Sequence, residues 1–100
     1  MITFQVKKAE NCFVDAQTWE YQISCRNEQL LHQLGQLGEL SCKMNLRRPI
    51  FMLCMNDGVR VKGTLAGSLM RASFPTEHWK TAKETFEQTL SALTVEGEEN

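Results

Sequence analysis

Close-spaced chemistry is what this chain lacks. Its four cysteines, Cys12, Cys25, Cys42 and Cys54, stand 13, 17 and 12 residues apart, so the paired C-x₂₋₄-C spacing that structural zinc sites usually bring does not occur. No bound metal and no cofactor is expected. A histidine has to meet a thiol in a cleft before the pair can act as nucleophile and base, and His32, on the polar side of the first helix pattern, and His78, in the first turn of the second, read as surface histidines. No glycine-rich loop leads into a helix with basic neighbours either. Gly35 and Gly38 are followed by Glu39, a poor companion for a phosphate. A catalytic role is therefore not expected.

The start of the chain lacks the continuous apolar core of a signal peptide. No run approaches the roughly 18 apolar residues of a membrane span. A cytoplasmic location, no membrane partner and reduced thiols follow as expectations. Prolines number only two, and no internal repeat or low-complexity tract interrupts the chain, which argues against a linker between domains. One hundred residues suffice for one two-layer domain without disulfide staples. We expect that domain over residues 1–94, with residues 95–100 a frayed acidic tail.

Charge of one sign is scarce in the middle. Between residues 43 and 71, Lys43, Arg47, Arg48, Arg60, Lys62 and Arg71 face Asp57 alone, a net of +5, whereas the segments before and after carry −2 and −4. Such a basic centre either binds an anionic partner or is neutralised within the fold by the acidic second helix.

What the chain does have is patterned hydrophobicity. Ile2, Phe4 and Val6 alternate with polar residues, as do Trp19, Tyr21, Ile23 and Cys25, and both runs read as strands with one buried face. Cys12-Phe13-Val14 reads as a short strand or as a continuation of the first. Asn27 is placed to cap a helix from residue 28 to about Gly38, with Leu30, Leu31, Leu34 and Leu37 as its apolar stripe. Residues 39–49 read as an irregular basic connector ending at Pro49. Leu69 to Phe74 forms another strand pattern, with Met70, Ala72 and Phe74 inward. Thr76 then caps a second helix whose one face carries Trp79, Ala82, Phe86, Leu90 and Leu93.

The most telling stretch is the hairpin between these parts. Ile50 to Met55 is apolar at every position, Asn56-Asp57-Gly58 is turn-forming, and residues 59–65 alternate; Gly58 suits the left-handed end of a type I turn with a bulge. Directly opposed residues share a face, so one apolar row of the first arm must lie beside Arg60 and Lys62. Whether that row is Phe51, Leu53 and Met55 or its complement depends on whether the turn holds two or three residues.

The expected fold is α+β: a two-layer sandwich in which an antiparallel sheet of about four strands, in the order β-β-α-β-β-α, carries two helices on one face. The other face stays open, with Thr3, Gln5, Lys7, Glu20, Gln22, Arg60, Lys62 and Arg71 on it. From this follows a non-catalytic protein–protein interaction or regulatory module, self-associating as a homodimer through the open face. Phe51, Leu53 and Met55 are the expected contact row, with Arg60, Lys62 and Arg71 as its polar rim. The alternative is a nucleic-acid-binding protein using Arg47, Arg48, Arg60, Lys62 and Arg71.

Overall fold

The computed structural model describes residues 2–10 and 16–93. The expected strand at Cys12-Phe13-Val14 and the expected tail at 95–100 lie outside the described residues. Strands β1 (Phe4–Lys8), β2 (Ala16–Ile23), β3 (Gly38–Lys43), β4 (Ile50–Met55), β5 (Arg60–Thr64) and β6 (Leu69–Pro75) form one antiparallel sheet in the order β1-β2-β6-β5-β4-β3. Two helical segments accompany the sheet among the described residues. A 3₁₀ turn at Asn27–Leu30 runs into the single turn α1 (Leu31–Leu34), and another at Thr76–His78 runs into α2 (Trp79–Ala92).

The sheet therefore has six strands rather than about four. The addition that matters is β3, in the segment read as an irregular connector. Leu40 and Cys42 do alternate with Glu39, Ser41 and Lys43 across it, but one leucine and one cysteine are a faint apolar row. An edge strand needs no more, because it has a neighbour on one side only, and its charged residues discourage pairing with another chain. The first helix is correspondingly shorter than expected. It ends at Leu34, and Gly38 opens β3 instead of stopping a helix.

Register assigns each side chain to a layer. Leu40, Leu53, Val61, Ala72 and Trp19 stand in one transverse row, and Cys42, Phe51, Gly63, Met70, Tyr21 and Val6 in the next. Both helices lie on this side. The Phe86 ring of α2 meets Tyr21 and Phe74 edge-on at 5.1 and 5.8 Å, and Leu30 and Leu34 are buried in the same core cluster as Phe51 and Leu53. Trp79 stacks on Trp19 at 5.8 Å. The apolar stripe expected on the second helix is the one that packs: Ala82, Phe86, Leu90 and Leu93 are buried and Trp79 is half-buried.

Two capping expectations are corrected. Asn27 does not cap a helix; it is the first residue of its 3₁₀ turn, and its fully buried amide donates to the carbonyls of Thr64 and Leu69 at 2.7 and 2.8 Å. Those partners end β5 and open β6, and the connection between them offers its Gly67 and Leu65 carbonyls to the backbone N–H groups of Asn27 and Glu28. The side chain is drawn inward because its buried amide needs acceptors, and the Thr64 carbonyl, which also accepts the Gly67 N–H at 3.3 Å, and the Leu69 carbonyl supply them. Thr76 opens a 3₁₀ turn without a side-chain cap bond.

Gly63 makes room for this clamp. A Cβ at that position would lie 2.6 Å from the Leu69 carbonyl oxygen, 2.9 Å from Asn27 Nδ2 and 3.0 Å from the Phe51 ring, so this strand glycine marks a close packing contact.

Removing the clamp takes away two buried hydrogen bonds. Asn27→Ala should cost about 1–3 kcal/mol of unfolding free energy for the two lost hydrogen bonds. Urea denaturation with an unchanged slope and a lowered midpoint is the expected reading; an unchanged midpoint would refute this role.

Candidate interaction face

The turn between β4 and β5 decides which side chains reach solvent. Met55 donates its N–H to the Val59 carbonyl at 2.8 Å, Gly58 donates to Met55 at 3.1 Å, and Gly58 has a φ of +89°. Three residues are thus enclosed, and the strands pair as Cys54 with Arg60, Leu53 with Val61 and Met52 with Lys62. A two-residue turn would have moved every side chain of one arm to the other layer.

This register corrects the expected contact row. Phe51 and Leu53 have no exposed surface and face the helices, and Met55 is half-buried on the same side. None of the three lies on the open face. The complementary row does: Ile50, Met52 and Cys54 share the layer of Arg60 and Lys62. Met52 is 39% exposed, and Leu69, at the start of β6 in that layer, is 47% exposed. The sequence reading named neither as a contact residue, though the all-apolar β4 required one of its two rows to face outward.

The expected rim is on this face. A single transverse row crosses all six strands as Lys7, Glu20, Arg71, Lys62, Met52 and Ser41. Lys62 and Arg71 are direct cross-strand neighbours of like charge, an unfavourable pairing by itself. Glu20 relieves it. Its carboxylate lies 3.4 Å from Arg71 Nε and 3.4 Å from Lys7 Nζ, and its side chain is only 13% exposed. Beside this row Ile50, Thr64, Leu69, Lys62 and Arg71 line an open hollow of about 340 Å³. Gln5 and Gln22 face each other farther along.

The face is not open everywhere. Thr18 and Ser73 point the same way as Arg60, yet they are 0% and 6% exposed and hydrogen-bonded to each other at 2.9 Å. The solvent-facing surface is therefore centred on β3, β4, β5 and the start of β6.

Arg47 and Arg48 lie apart from the sheet, in the exposed connection between β3 and β4. With Pro49, Thr64, Ala66 and Gly67 they line a second hollow of about 340 Å³. Thr64 belongs to both hollows, so Lys62 and Arg71 on one side and Arg47 and Arg48 on the other meet at one threonine. Cys42 and Cys54 are exposed on opposite sides of the sheet, by the register of β3 and β4, and Cys25 is half-buried. Among the described residues no three of His, Cys, Asp and Glu come together in a way that holds a metal ion. Nor is any described helix long and apolar enough to cross a membrane.

On the helix side, one titratable cluster ties α2 to the sheet. Tyr21 donates its hydroxyl to Glu87 at 2.9 Å, and Lys83 pairs with Glu87 while its ammonium sits 4.6 Å from the centre of the Trp19 ring. Burial, then the hydrogen bond to Glu87 and its negative charge, hold the Tyr21 phenol well above its ordinary range.

Comparison with protein-family models, curated proteins and solved structures finds no match for this chain. The functional reading therefore rests on the geometry above.

Because the folded phenol has the raised value, Tyr21 contributes its full stability below the unfolded value of about 10, and that contribution falls as pH rises beyond it. Tyr21 is the sole tyrosine of the chain, so phenolate ultraviolet absorbance reports it alone. The absorbance should stay flat through pH of about 10 and rise only together with loss of the native circular dichroism. Titration at the ordinary value in a folded chain would contradict the buried anchor.

Proposed function

We propose that this protein is a non-catalytic protein–protein interaction module that self-associates through the helix-free face of its sheet. The observation that carries the reading is the outward row Ile50, Met52 and Cys54 with Leu69 beside it, apolar surface on a solvent-facing sheet layer bordered by Arg60, Lys62 and Arg71. Surface of this kind marks docking sites, and methionine adapts to the surface it meets.

Register also supports a second copy as the occupant. At one level across the three strands stand Glu39 on β3, Cys54 on β4 and Arg60 on β5. A two-fold axis running along β4 lays β3 of one copy over β5 of the other. Glu39 of each copy then falls over Arg60 of its mate, twice by symmetry, while Ile50, Met52 and Cys54 meet their own counterparts. Ser41 falls over Lys62 and Lys43 over Thr64, so no like charges are opposed within these strands. Three strands span only about 15 Å. A patch of that width falls short of the roughly 800 Å² per partner of a standard interface, and the association should be reversible in the micromolar range.

The nucleic-acid reading draws on Arg47, Arg48, Arg60, Lys62 and Arg71. It is less well supported. Arg71 is engaged by Glu20, and among the described residues every aromatic side chain lies on the helix side or on a helix, leaving none on this face to stack a base. Salt-sensitive retention on single-stranded RNA that falls on Lys62→Ala would favour it.

Sedimentation equilibrium across the micromolar range should show a mass rising from one chain towards two. Met52→Asp, at a solvent-facing position, should leave the thermal midpoint nearly unchanged and abolish the rise. Glu39→Arg should weaken association severalfold, and adding Arg60→Glu should restore it. A parent chain that stays monomeric at high micromolar concentration overturns the reading.

A further inference from the structure

Among the described residues, the most exposed large apolar side chain is not on the sheet. Met44 is 64% exposed and Leu46 is 45% exposed, both in the connection between β3 and β4. Every residue from 41 to 48 is exposed, so neither side chain is packed into the fold.

Their neighbours are all of one sign. Lys43, Arg47 and Arg48 bracket Met44 and Leu46, and between Glu39 and Asp57 the sequence holds no acidic residue. Leu69 and the 65–68 connection stand at the same end of the sheet, since Lys43 pairs with Ile50, and Ile50 with Thr64. The carboxylate of Glu28 is also near this end, where its N–H meets the Leu65 carbonyl, but it is ion-paired with Arg26. Arg47 and Arg48 further line the hollow that contains Thr64 and Gly67, where two guanidinium groups and a hydroxyl group suit a phosphate.

We infer that this end of the molecule docks on an anionic phospholipid surface, Met44 and Leu46 entering the interface while Lys43, Arg47 and Arg48 meet lipid phosphates. Peripheral attachment of this kind needs no membrane-spanning segment. It combines shallow burial of apolar side chains with attraction of basic residues to the anionic leaflet.

The choice among anionic partners follows from the two apolar residues. A nucleic acid satisfies the arginines but offers Met44 and Leu46 no apolar medium, while an acidic protein would need a matching preformed groove for side chains that stand alone in solvent. The acyl boundary of a bilayer accepts both. The inference stands on this loop and is independent of association through the sheet face.

The test is co-sedimentation of the full chain with vesicles of phosphatidylcholine alone and of phosphatidylcholine with about a third phosphatidylserine. Binding to the anionic vesicles only, with release at high salt, is expected. Arg47→Glu with Arg48→Glu should weaken binding at least tenfold, since each basic residue near such a leaflet contributes about fivefold. Met44→Ser with Leu46→Ser should also weaken it severalfold at unchanged circular dichroism. No binding to phosphatidylserine vesicles overturns the inference, as does full binding by the Met44→Ser, Leu46→Ser variant. Retention on single-stranded RNA without vesicle binding overturns it as well and assigns the arginines to nucleic acid. Because Met52→Asp lies outside this loop, it should bind vesicles even where it no longer self-associates, which separates failure here from failure of the sheet-face reading.

Discussion

The parity of the β4–β5 hairpin governs the molecule. Strand side chains alternate strictly between layers, so one residue more or less in the turn exchanges the buried and exposed rows of β4. Gly58, at φ +89°, takes the left-handed position that closes a three-residue turn, a conformation that a β-carbon opposes. Asp57 adds a contact from its carboxylate to the Val59 N–H at 3.3 Å. With that turn in place Phe51 and Leu53 complete the core, and Ile50, Met52 and Cys54 are left outside. The energetic reason for the choice is volume. Phe51 and Leu53 fill core space in the cluster they share with Leu30 and Leu34 that a methionine and a cysteine would fill less completely, and cores tolerate voids poorly.

A second constraint joins the two halves of the chain. The 3₁₀ turn at Asn27–Leu30 lies far along the sequence from residues 64–69, yet four hydrogen bonds link them: two from the Asn27 side chain to the facing ends of β5 and β6, and two from the backbone of Asn27 and Glu28 to the connection between those strands. They fix Leu30 and Leu34 in the core cluster that also holds Phe51 and Leu53 and give carbonyls of residues 64–69 hydrogen-bond partners. Gly63 allows the approach, and the Phe51 ring packs where its side chain would have been. A polar residue at the centre thus specifies where the short helix sits, a role in which position matters more than net stabilisation.

Long, strongly patterned segments were legible in the sequence. The limits of β4, the Gly58 turn, the inward residues of β6 and the packed stripe of α2 all follow from period and composition. Two kinds of feature were not. One was β3, whose pairing is supplied by β4 and owes little to its own residues, so its amino acids had no need to be β-formers. The other was the choice between two equally apolar rows of β4, which no local pattern resolves because it depends on a count inside the turn. Asn27 was misread for a related reason. An asparagine ahead of a helix is a cap by local rules, and only the distant carbonyls of Thr64 and Leu69 draw its amide elsewhere. The basic residues were recognised as a cluster, but their division between the sheet and the β3–β4 connection is a matter of three-dimensional placement.

The two proposed surfaces are geometrically compatible, which follows from the direction of the symmetry axis. A two-fold rotation about a line parallel to the strands exchanges left and right across the sheet but leaves each position along the strand at the same height. Both copies of the β3–β4 connection would therefore emerge at one end of a dimer, side by side, each with Met44 and Leu46 outermost. An axis perpendicular to the strands would instead send them to opposite ends, and where it runs along the row of Lys62 and Arg71 it would set each of these on its own counterpart. The charge pattern that favours the parallel axis is thus also the one that presents two basic, apolar-tipped loops to a single surface. For individually weak contacts, such pairing raises attachment through effective concentration without any new interaction.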